Sequence, residues 1–301
     1  ARVAFSRDWA TDAARRDFTI NAIYCDGDGT IHDLVGGVAD CARRRIRFIG
    51  EARVRIREDY LRILRFFRFH AQLGGGAMEA DGLAASIAER DGLQRLSMER
   101  IAGELRKLLV GPNVVSAIAA MMDCGLLPSI LRAAPRPALL SKAAAVEAAA
   151  GVAASPTLRL SALAVAVAED VDRLADHLKL AGCEREALLP IRSGIDVTPT
   201  LTDAERRRSL YRLGAQAWRR HVFAAWIADG RIDEPSWLEL LGLPERWPVP
   251  KLPVDGQSLI AAGLSPGPSF GAILKDLETA WIASDFTLDR AALLKLVPPR
   301  R

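Results

Sequence analysis

A chain of 301 residues, half of them hydrophobic, is long enough for two or three domains built on a sizeable core. Its longest apolar stretches, around Ala143–Ala154 and Leu158–Ala168, are broken by Glu147, Ser155, Pro156 and Arg159 and fall short of the roughly 18–20 residues that span a membrane; four scattered cysteines without a C-x-x-C pair argue against a zinc ribbon or a disulfide framework and fit a reducing cytoplasm. The net charge of +4 is localised: residues 1–70 hold 14 Arg, no Lys and 10 acidic residues, while the other 231 balance at 27 and 27, so an anionic ligand, nucleotide or RNA, is expected near the N-terminal third.

In chain order, Arg2–Phe5 reads as a strand. A helix is predicted from Asp12 to Asn21, then strands at Ala22–Asp26, Ile31–Leu34 and Arg45–Ile49, the end of a small mixed sheet. Asp26-Gly27-Asp28 has the letters of a metal-binding D-x-D pair but precedes Gly29-Thr30, so it reads as a hairpin loop. Gly36-Gly37 marks a bend. Arg57–Leu73 is predicted as one long helix, with Leu61, Leu64, Phe67 and Ala71 at three-four spacing and Gly74-Gly75-Gly76 as its end. Helices follow at Glu79–Arg90, Met98–Val110 (with Ser97 as N-cap), Asn113–Asp123, Ala138–Ala150, Leu158–Ala168, Asp170–Leu180, Asp203–Leu213 and Gln216–Ala228, punctuated by prolines 112, 128, 135 and 156. Pro244–Pro253 is a proline-rich hinge, and a final unit runs from Gly256 through Leu274 into a helix ending near Ser284. The fold class is therefore α+β: the remnant of a small mixed sheet followed by a large all-α body. The segments divide at 1–50, 51–130, 131–245 and 246–301.

On the predicted long helix, Asp59 and Arg62 are three apart and Glu58 and Arg62 four apart, so they share a face. Taken alone, that pattern is a pair of surface salt bridges worth a few tenths of a kcal/mol. Arg65 and Arg68 continue the three-residue step, and like charges at that spacing repel. A bound anion such as a triphosphate would relieve them. His32-Asp33 invites a metal phosphohydrolase reading, but His70, His177 and His221 form no accompanying ligand set.

Four blocks carry a family resemblance: R-R-D-F-T-I-N-A at Arg15–Ala22, D-L-V-G-G at Asp33–Gly37, I-R-F-I-G at Ile46–Gly50 and E-D-Y-L-R-I-L-R-F-F-R-F at Glu58–Phe69. Their order and separation resemble those of the class II tRNA nucleotidyltransferases, the CCA-adding enzymes and the bacterial poly(A) polymerases. The resemblance covers most of the chain. It implies that 1–50 is the C-terminal part of the catalytic head, that 51–130 is a helical neck carrying the nucleotide-template helix, and that 131–245 and 246–301 are a helical body and a tRNA-binding tail, the last through Gly256–Leu274. It implies addition of CMP and AMP from CTP and ATP to the tRNA 3′ end. Asp59 and Arg62 would select the base; Arg16, Asp17 and Asn21 would lie near ribose and phosphates, with Arg65 and Arg68 beside the nucleotide. Glu58, Gly36 and Gly37 would support them, the two glycines as a hinge. Ser97–Leu105 would brace the template helix, and Arg15 would be structural.

The base-selection chemistry has a physical basis. Cytosine and adenine each present an exocyclic amine beside an unprotonated ring nitrogen, so a carboxylate can accept from one and a guanidinium can donate to the other. Uracil and guanine present the reverse order. In the resembled family two Mg²⁺ ions bind a D-x-D pair that lies upstream of the segment matching residue 1 here, and a third carboxylate slot falls at Ala4. The expectation is that no catalytic or metal-binding carboxylate lies within this chain and that it is inactive by itself. Poly(A) polymerase, a split CC- or A-adding enzyme, and a non-catalytic RNA-binding helical module are the alternatives.

Overall fold

The computed structural model describes residues 8–191, 197–232, 235–264, 267 and 269–297. The strand expected at Arg2–Phe5, with Ala4, lies outside them, as do Ser265, Pro266 and Pro268 of the C-terminal block. Residues 1–194 with 226–232 form one compact unit, and residues 195–225 with 233–301 form another.

The first helix, α1 (Trp9–Arg15), starts earlier than Asp12 because the Asp8 carboxylate accepts from the Ala10 and Thr11 N–H groups. It also stops earlier. Arg16 is extended, and Thr19–Asn21 forms only a short 3₁₀ turn. The helix predicted through Asn21 is corrected by long-range pairing. Thr19 N–H donates to Arg47 O, Ile49 N–H donates to Asp17 O, both at 3.0 Å, and Phe18 bridges Phe48. The Phe18 and Phe48 rings are buried 4.7 Å apart, and Phe18 also packs on Phe66 and Phe69. Burying an aromatic of this size outweighs the few tenths of a kcal/mol per residue that helix propensity supplies.

Strands β1 (Ile23–Cys25) and β2 (Ile31–Asp33) pair antiparallel, with Tyr24 opposite His32. Asp26–Thr30 closes the hairpin, as expected, with the Asp28 carboxylate accepting from Thr30 N–H at 2.9 Å. The strand expected at Arg45–Ile49 is reduced, among the described residues, to the single Phe18–Phe48 bridge. Helix α2 (Gly37–Ala42) begins where Asp33 Oδ1 accepts from Gly37 N–H at 2.7 Å and Oδ2 from Val38 N–H at 2.9 Å. Gly36 is left-handed (φ 80°), and a Cβ on Gly37 would lie 2.2 Å from Thr19 O. The two glycines thus make a close contact as well as a bend.

The predicted helix over Arg57–Leu73 is two helices, α3 (Ala52–Glu58) and α4 (Leu61–Leu73), broken at Asp59, whose backbone is extended (φ −155°, ψ 107°). Asp59 starts the second helix: its Oδ1 accepts from Leu61 N–H at 3.1 Å and its carbonyl from Arg62 N–H at 3.0 Å. An aspartate that bonds the backbone two residues on is a local turn signal that helical periodicity does not register.

Helix α4 buries Leu61, Ile63, Leu64, Phe66, Phe67 and Ala71. They share one core with Ile101, Leu105 and Leu108 of α6 (Met98–Leu109) and with Val114, Ala117, Ile118 and Met121 of α7 (Val114–Asp123). Each large buried side chain contributes roughly 1.5–3 kcal/mol, several times an exposed ion pair, so the apolar face fixes the rotation of α4. Ser97 occupies the N-cap position of α6, but its hydroxyl makes no capping bond.

Helices α5 (Ala80–Ala88), α8 (Leu127–Leu131), α9 (Pro137–Ala149), α10 (Pro156–Ala164), α11 (Ala168–Leu178) and α12 (Gly182–Ala187) also belong to this unit. The buried Arg159 joins Glu147 at 2.6 Å and donates to Leu109 O at 2.7 Å, tying α9 and α10 to the end of α6. The long α13 (Asp203–Asp229) is interrupted at Gly214, where two helices were expected. Pro244 sits in the first turn of the short α15 (Leu243–Arg246) after α14 (Pro235–Leu241), so the expected hinge is partly helical. One buried cluster of the second unit is Val254, Leu259, Leu277, Trp281 and Leu293, drawn from α16 (Gly256–Ala261), α17 (Ser269–Ala283), α18 (Arg290–Leu294) and their approach.

Candidate functional site

The loop after α1 and the N-terminal turns of α4 and α6 enclose a cleft of about 510 Å³. Arg15, Arg16, Asp17, Asn21, Asp59, Leu61, Arg62, Arg65, Phe69 and Arg100 line it. Five guanidiniums against two carboxylates make it a cationic cleft suited to a polyphosphate.

Asp17 is the most enclosed of the charged groups. Its Oδ1 accepts from Phe18 N–H (3.0 Å) and Asn21 Nδ2 (2.8 Å), and its Oδ2 from Arg65 Nε (2.5 Å). Burial pushes this carboxyl up, but the bonds from Arg65 and Asn21 and the Arg65 charge outweigh it and hold the group below the ordinary carboxylate range. Arg16 spans the loop, its Nε on Asp12 at 2.9 Å and its Nη1 on Asn21 O at 2.9 Å, with its guanidinium 5.3 Å from the Tyr24 ring. Asp12 also takes Arg15 (2.7 Å) and the Tyr24 hydroxyl (2.9 Å), so the hairpin and α1 orient both arginines.

The break at Asp59 changes how the template residues meet. Glu58 and Asp59 lie ahead of α4 and Arg62 on its first turn, so the shared helix face expected for them is replaced by a corner between two helices. Arg62 Nη1 donates to Glu58 Oε2 (2.5 Å) and Arg55 O (2.7 Å). Arg55 holds Glu58 at 2.7 Å and reaches Arg16 O at 2.6 Å. Burial raises the Glu58 carboxyl, but Arg62 and Arg55 more than offset it and keep it low. Asp59 Oδ2 accepts from Arg100 Nη2 at 2.7 Å.

The repulsion expected along Arg62, Arg65 and Arg68 is resolved by protein carboxylates: Glu58, Asp17 and Glu104 each take one. Arg68 does not line the cleft. It is buried, 2.6 Å from Glu104, 3.0 Å from Gln72 Oε1 and 3.9 Å from the Phe69 ring centroid. Arg68, expected beside the nucleotide, here makes a core ion pair between α4 and α6. Arg15, taken as structural, lines the cleft, as do Phe69 and Arg100, which the sequence did not single out. Arg100 stands in the block read as a brace, and its charge was the available signal. Gly36 and Gly37 lie outside the lining; Gly37 packs against Thr19 O, and Gly36 faces Arg47 Nη2. Among the described residues, no group of three or more His, Cys, Asp or Glu side chains is placed to hold a metal ion.

The chain is similar in sequence and fold to known proteins. Residues 1–47 match the family described as "Poly A polymerase head domain", and residues 77–136 match "Probable RNA and SrmB- binding site of polymerase A". The mitochondrial CCA tRNA nucleotidyltransferase 1 of Mus musculus is 33% identical over 301 residues, covering 99% of this chain and 68% of the mouse protein. The chain belongs to the tRNA nucleotidyltransferase and poly(A) polymerase family. The CCA-adding enzyme of Limosilactobacillus fermentum is 30% identical over 307 residues, covering 97% of the chain and 72% of that enzyme. Among solved structures, the Bacillus stearothermophilus CCA-adding enzyme in complex with CTP superposes with a TM-score of 0.73 at 27% identity, covering 97% of this chain and 75% of that one. As a nucleotidyltransferase of this family, the chain is α+β with a mostly helical body. Among the described residues no helix is long and apolar enough to cross a membrane.

Proposed function

We propose that this protein adds CMP and AMP, taken from CTP and ATP, to the 3′ end of tRNA without a nucleic-acid template. The observation that carries the reading is the corner where Asp59 and Arg62 line one cleft, an acceptor and a donor each oriented by an oppositely charged partner. The base would give its exocyclic amine to the Asp59 carboxylate and accept at its ring nitrogen from Arg62. Uracil and guanine would leave both groups unpaired, at about 1–3 kcal/mol each. Asp17 and Asn21 would read the ribose hydroxyls, and Arg16 and Arg65 would meet the phosphates. Glu58 would orient Arg62, with Gly36 and Gly37 holding the loop.

The reaction is attack of the RNA 3′ hydroxyl on the α-phosphorus, with pyrophosphate leaving. Magnesium, which the family resemblance implies, finds no ligand set among the described residues. The names of the curated relatives support tRNA as the acceptor, and the CTP complex of the Bacillus enzyme supports CTP as a substrate. Four free cysteines are in keeping with a cytoplasmic setting. The four segments 1–50, 51–130, 131–245 and 246–301 are proposed as head, neck, body and tail.

The test is primer extension by the full-length protein with Mg²⁺, CTP and ATP on tRNA lacking its CCA end. Growth by three nucleotides, with CTP needed first, is the expected result. A long ladder with ATP alone would reassign the protein to poly(A) addition. No growth would leave an RNA-binding module.

A further inference from the structure

We propose that Asp12 is a positioning residue that holds Arg15 and Arg16 side by side for the triphosphate of the incoming nucleotide, with the β1–β2 hairpin as its backing. This rests on the reading of the cleft given above and assigns a role to a carboxylate that is not among the cleft's lining residues. Arg15 ends α1 and Arg16 is the first extended residue beyond it (ψ 159°), so the backbone alone does not keep their side chains together. Neighbouring guanidiniums also repel. One carboxylate answers both needs. Asp12 Oδ1 accepts from Arg15 Nη2 at 2.7 Å, and Oδ2 accepts from Arg16 Nε at 2.9 Å. The Tyr24 hydroxyl donates to Oδ2 as well, at 2.9 Å. Arg16 Nη1 donates to Asn21 O at 2.9 Å, which gives its guanidinium a second hold.

Tyr24 is itself fixed from α1. The Trp9 ring stacks on it with centroids 5.3 Å apart and planes 10° from parallel, and His32, opposite Tyr24 on β2, meets Trp9 edge-on at 4.5 Å. The Arg16 guanidinium lies 5.3 Å from the same Tyr24 ring. Trp9 and Asp12, three residues apart on α1, therefore grip one tyrosine of β1, and both arginines reach the cleft from that joint. The Arg15, Arg16 and Asp12 side chains are 49%, 45% and 29% exposed, and ion pairs this exposed add little to folding stability. The consequence is expected in phosphate binding, because guanidiniums ordered before the ligand arrives lose little freedom when it binds. Position and charge pull in opposite directions here. Asp12 is a negative charge beside an anion site, and by Coulomb's law alone its removal tightens a triphosphate. As the holder of both arginines, its removal loosens one. The sign of the change decides between the two.

The experiment uses the full-length protein, unchanged and as Asp12→Asn, Asp12→Glu, Tyr24→Phe, Arg16→Ala, and Asp12→Asn combined with Arg16→Ala. Equilibrium binding of CTP, UTP and CMP is measured alongside extension of tRNA lacking CCA. Asp12→Asn should weaken CTP about tenfold, the scale of one charge-assisted bond. UTP should weaken by the same factor, because the phosphates and not the base are affected, and CMP should weaken less. KM should move more than kcat, Asp12→Glu should recover part of the loss, and the thermal midpoint should stay near that of the unchanged protein. Tyr24→Phe keeps the ring beside Arg16 and removes one donor from Asp12, so a loss of about threefold is expected. In the Arg16→Ala background Asp12→Asn should weaken CTP less than it does alone, because part of its effect passes through Arg16. Unchanged or tighter CTP binding in Asp12→Asn would overturn the assignment, as would losses that simply add in the double variant or fall equally on CMP. If Asp12→Asn lowers the thermal midpoint sharply, Tyr24→Phe decides by the same sign. If the unchanged protein binds CTP yet extends no tRNA, the proposed function fails while the binding series still decides the role of Asp12. If it binds no CTP, both fail.

Discussion

Asp17 and Arg65 lie 48 residues apart in sequence and meet at 2.5 Å, joining the loop after α1 to the second arginine of α4. The contact places a carboxylate and a guanidinium side by side in the same cleft. Arg65→Ala would leave Asp17 enclosed without its cation. Binding of CTP and ATP should weaken by roughly 10- to 100-fold, the scale of a charge-assisted hydrogen bond, and Arg65→Lys should recover only part of it. Nucleotide titration of the three proteins checks this.

Substitution of either base-reading group should change selectivity more than stability. Asp59→Ala and Arg62→Ala each remove one of two directional contacts. The preference for CTP and ATP over UTP and GTP should fall about tenfold or more, as one unpaired group no longer penalises the wrong base. Single-nucleotide incorporation with each of the four nucleotides is the measurement.

Arg68 should behave differently from its neighbours on α4. Its side chain and that of Glu104 are 11% and 6% exposed. Glu104→Ala leaves a buried guanidinium uncompensated and should destabilise the protein by about 3 kcal/mol, read as a lower urea midpoint. If Arg68 instead touched the nucleotide, Arg68→Lys would raise KM with stability intact.

Gly37 transmits a backbone contact to the cleft. A Cβ there would stand 2.2 Å from Thr19 O and 2.9 Å from Ile23 Cγ1, so Gly37→Ala must displace the segment that carries Asp17 and Asn21. A loss of about 1–3 kcal/mol is expected, with nucleotide KM rising as well. Gly103→Ala, which meets open space on α6, is the matched control.

Stability should fall in acid in two windows. Burial holds the His70 imidazole below its ordinary value of 6.5. The unfolded chain therefore takes up this proton first as pH falls. The stability His70 contributes is full above about 6.5 and is lost as pH drops toward the folded value. His177 is lowered too, burial being the largest cause, and acts in the same direction. The carboxyls of Asp17 and Asp40 sit below the ordinary 3.8, their partners outweighing burial. Their contribution is complete above that value and is lost as pH falls below it. Unfolding midpoints between pH 7.5 and 5.5 should decline less in His70→Gln than in the unchanged protein.

The sequence by itself determined the family, the mixed α+β class and most of the helices, because those rest on short-range information. The three-four spacing of Leu61, Leu64, Phe67 and Ala71 gives the buried face of α4, and Gly74 gives its end. Residue type and order in R-R-D-F-T-I-N-A and E-D-Y-L-R likewise name the groups that could read a nucleotide. The tertiary structure decided where helices stop and which charges face the cleft. The helix predicted through Asn21 ends at Arg15 because Phe18 is buried against Phe48, a contact 30 residues away that periodicity does not carry. The helix predicted across Asp59 breaks where its backbone is extended and its carboxylate accepts from Leu61 N–H, a local turn that periodicity does not register. Arg62, Arg65 and Arg68 look equivalent in the sequence, yet packing gives the first two to the cleft and the third to Glu104. Arg100 joins the site from another helix because the apolar faces of α4 and α6 fix their register, and an ion pair across two elements follows from that packing, not from local pattern.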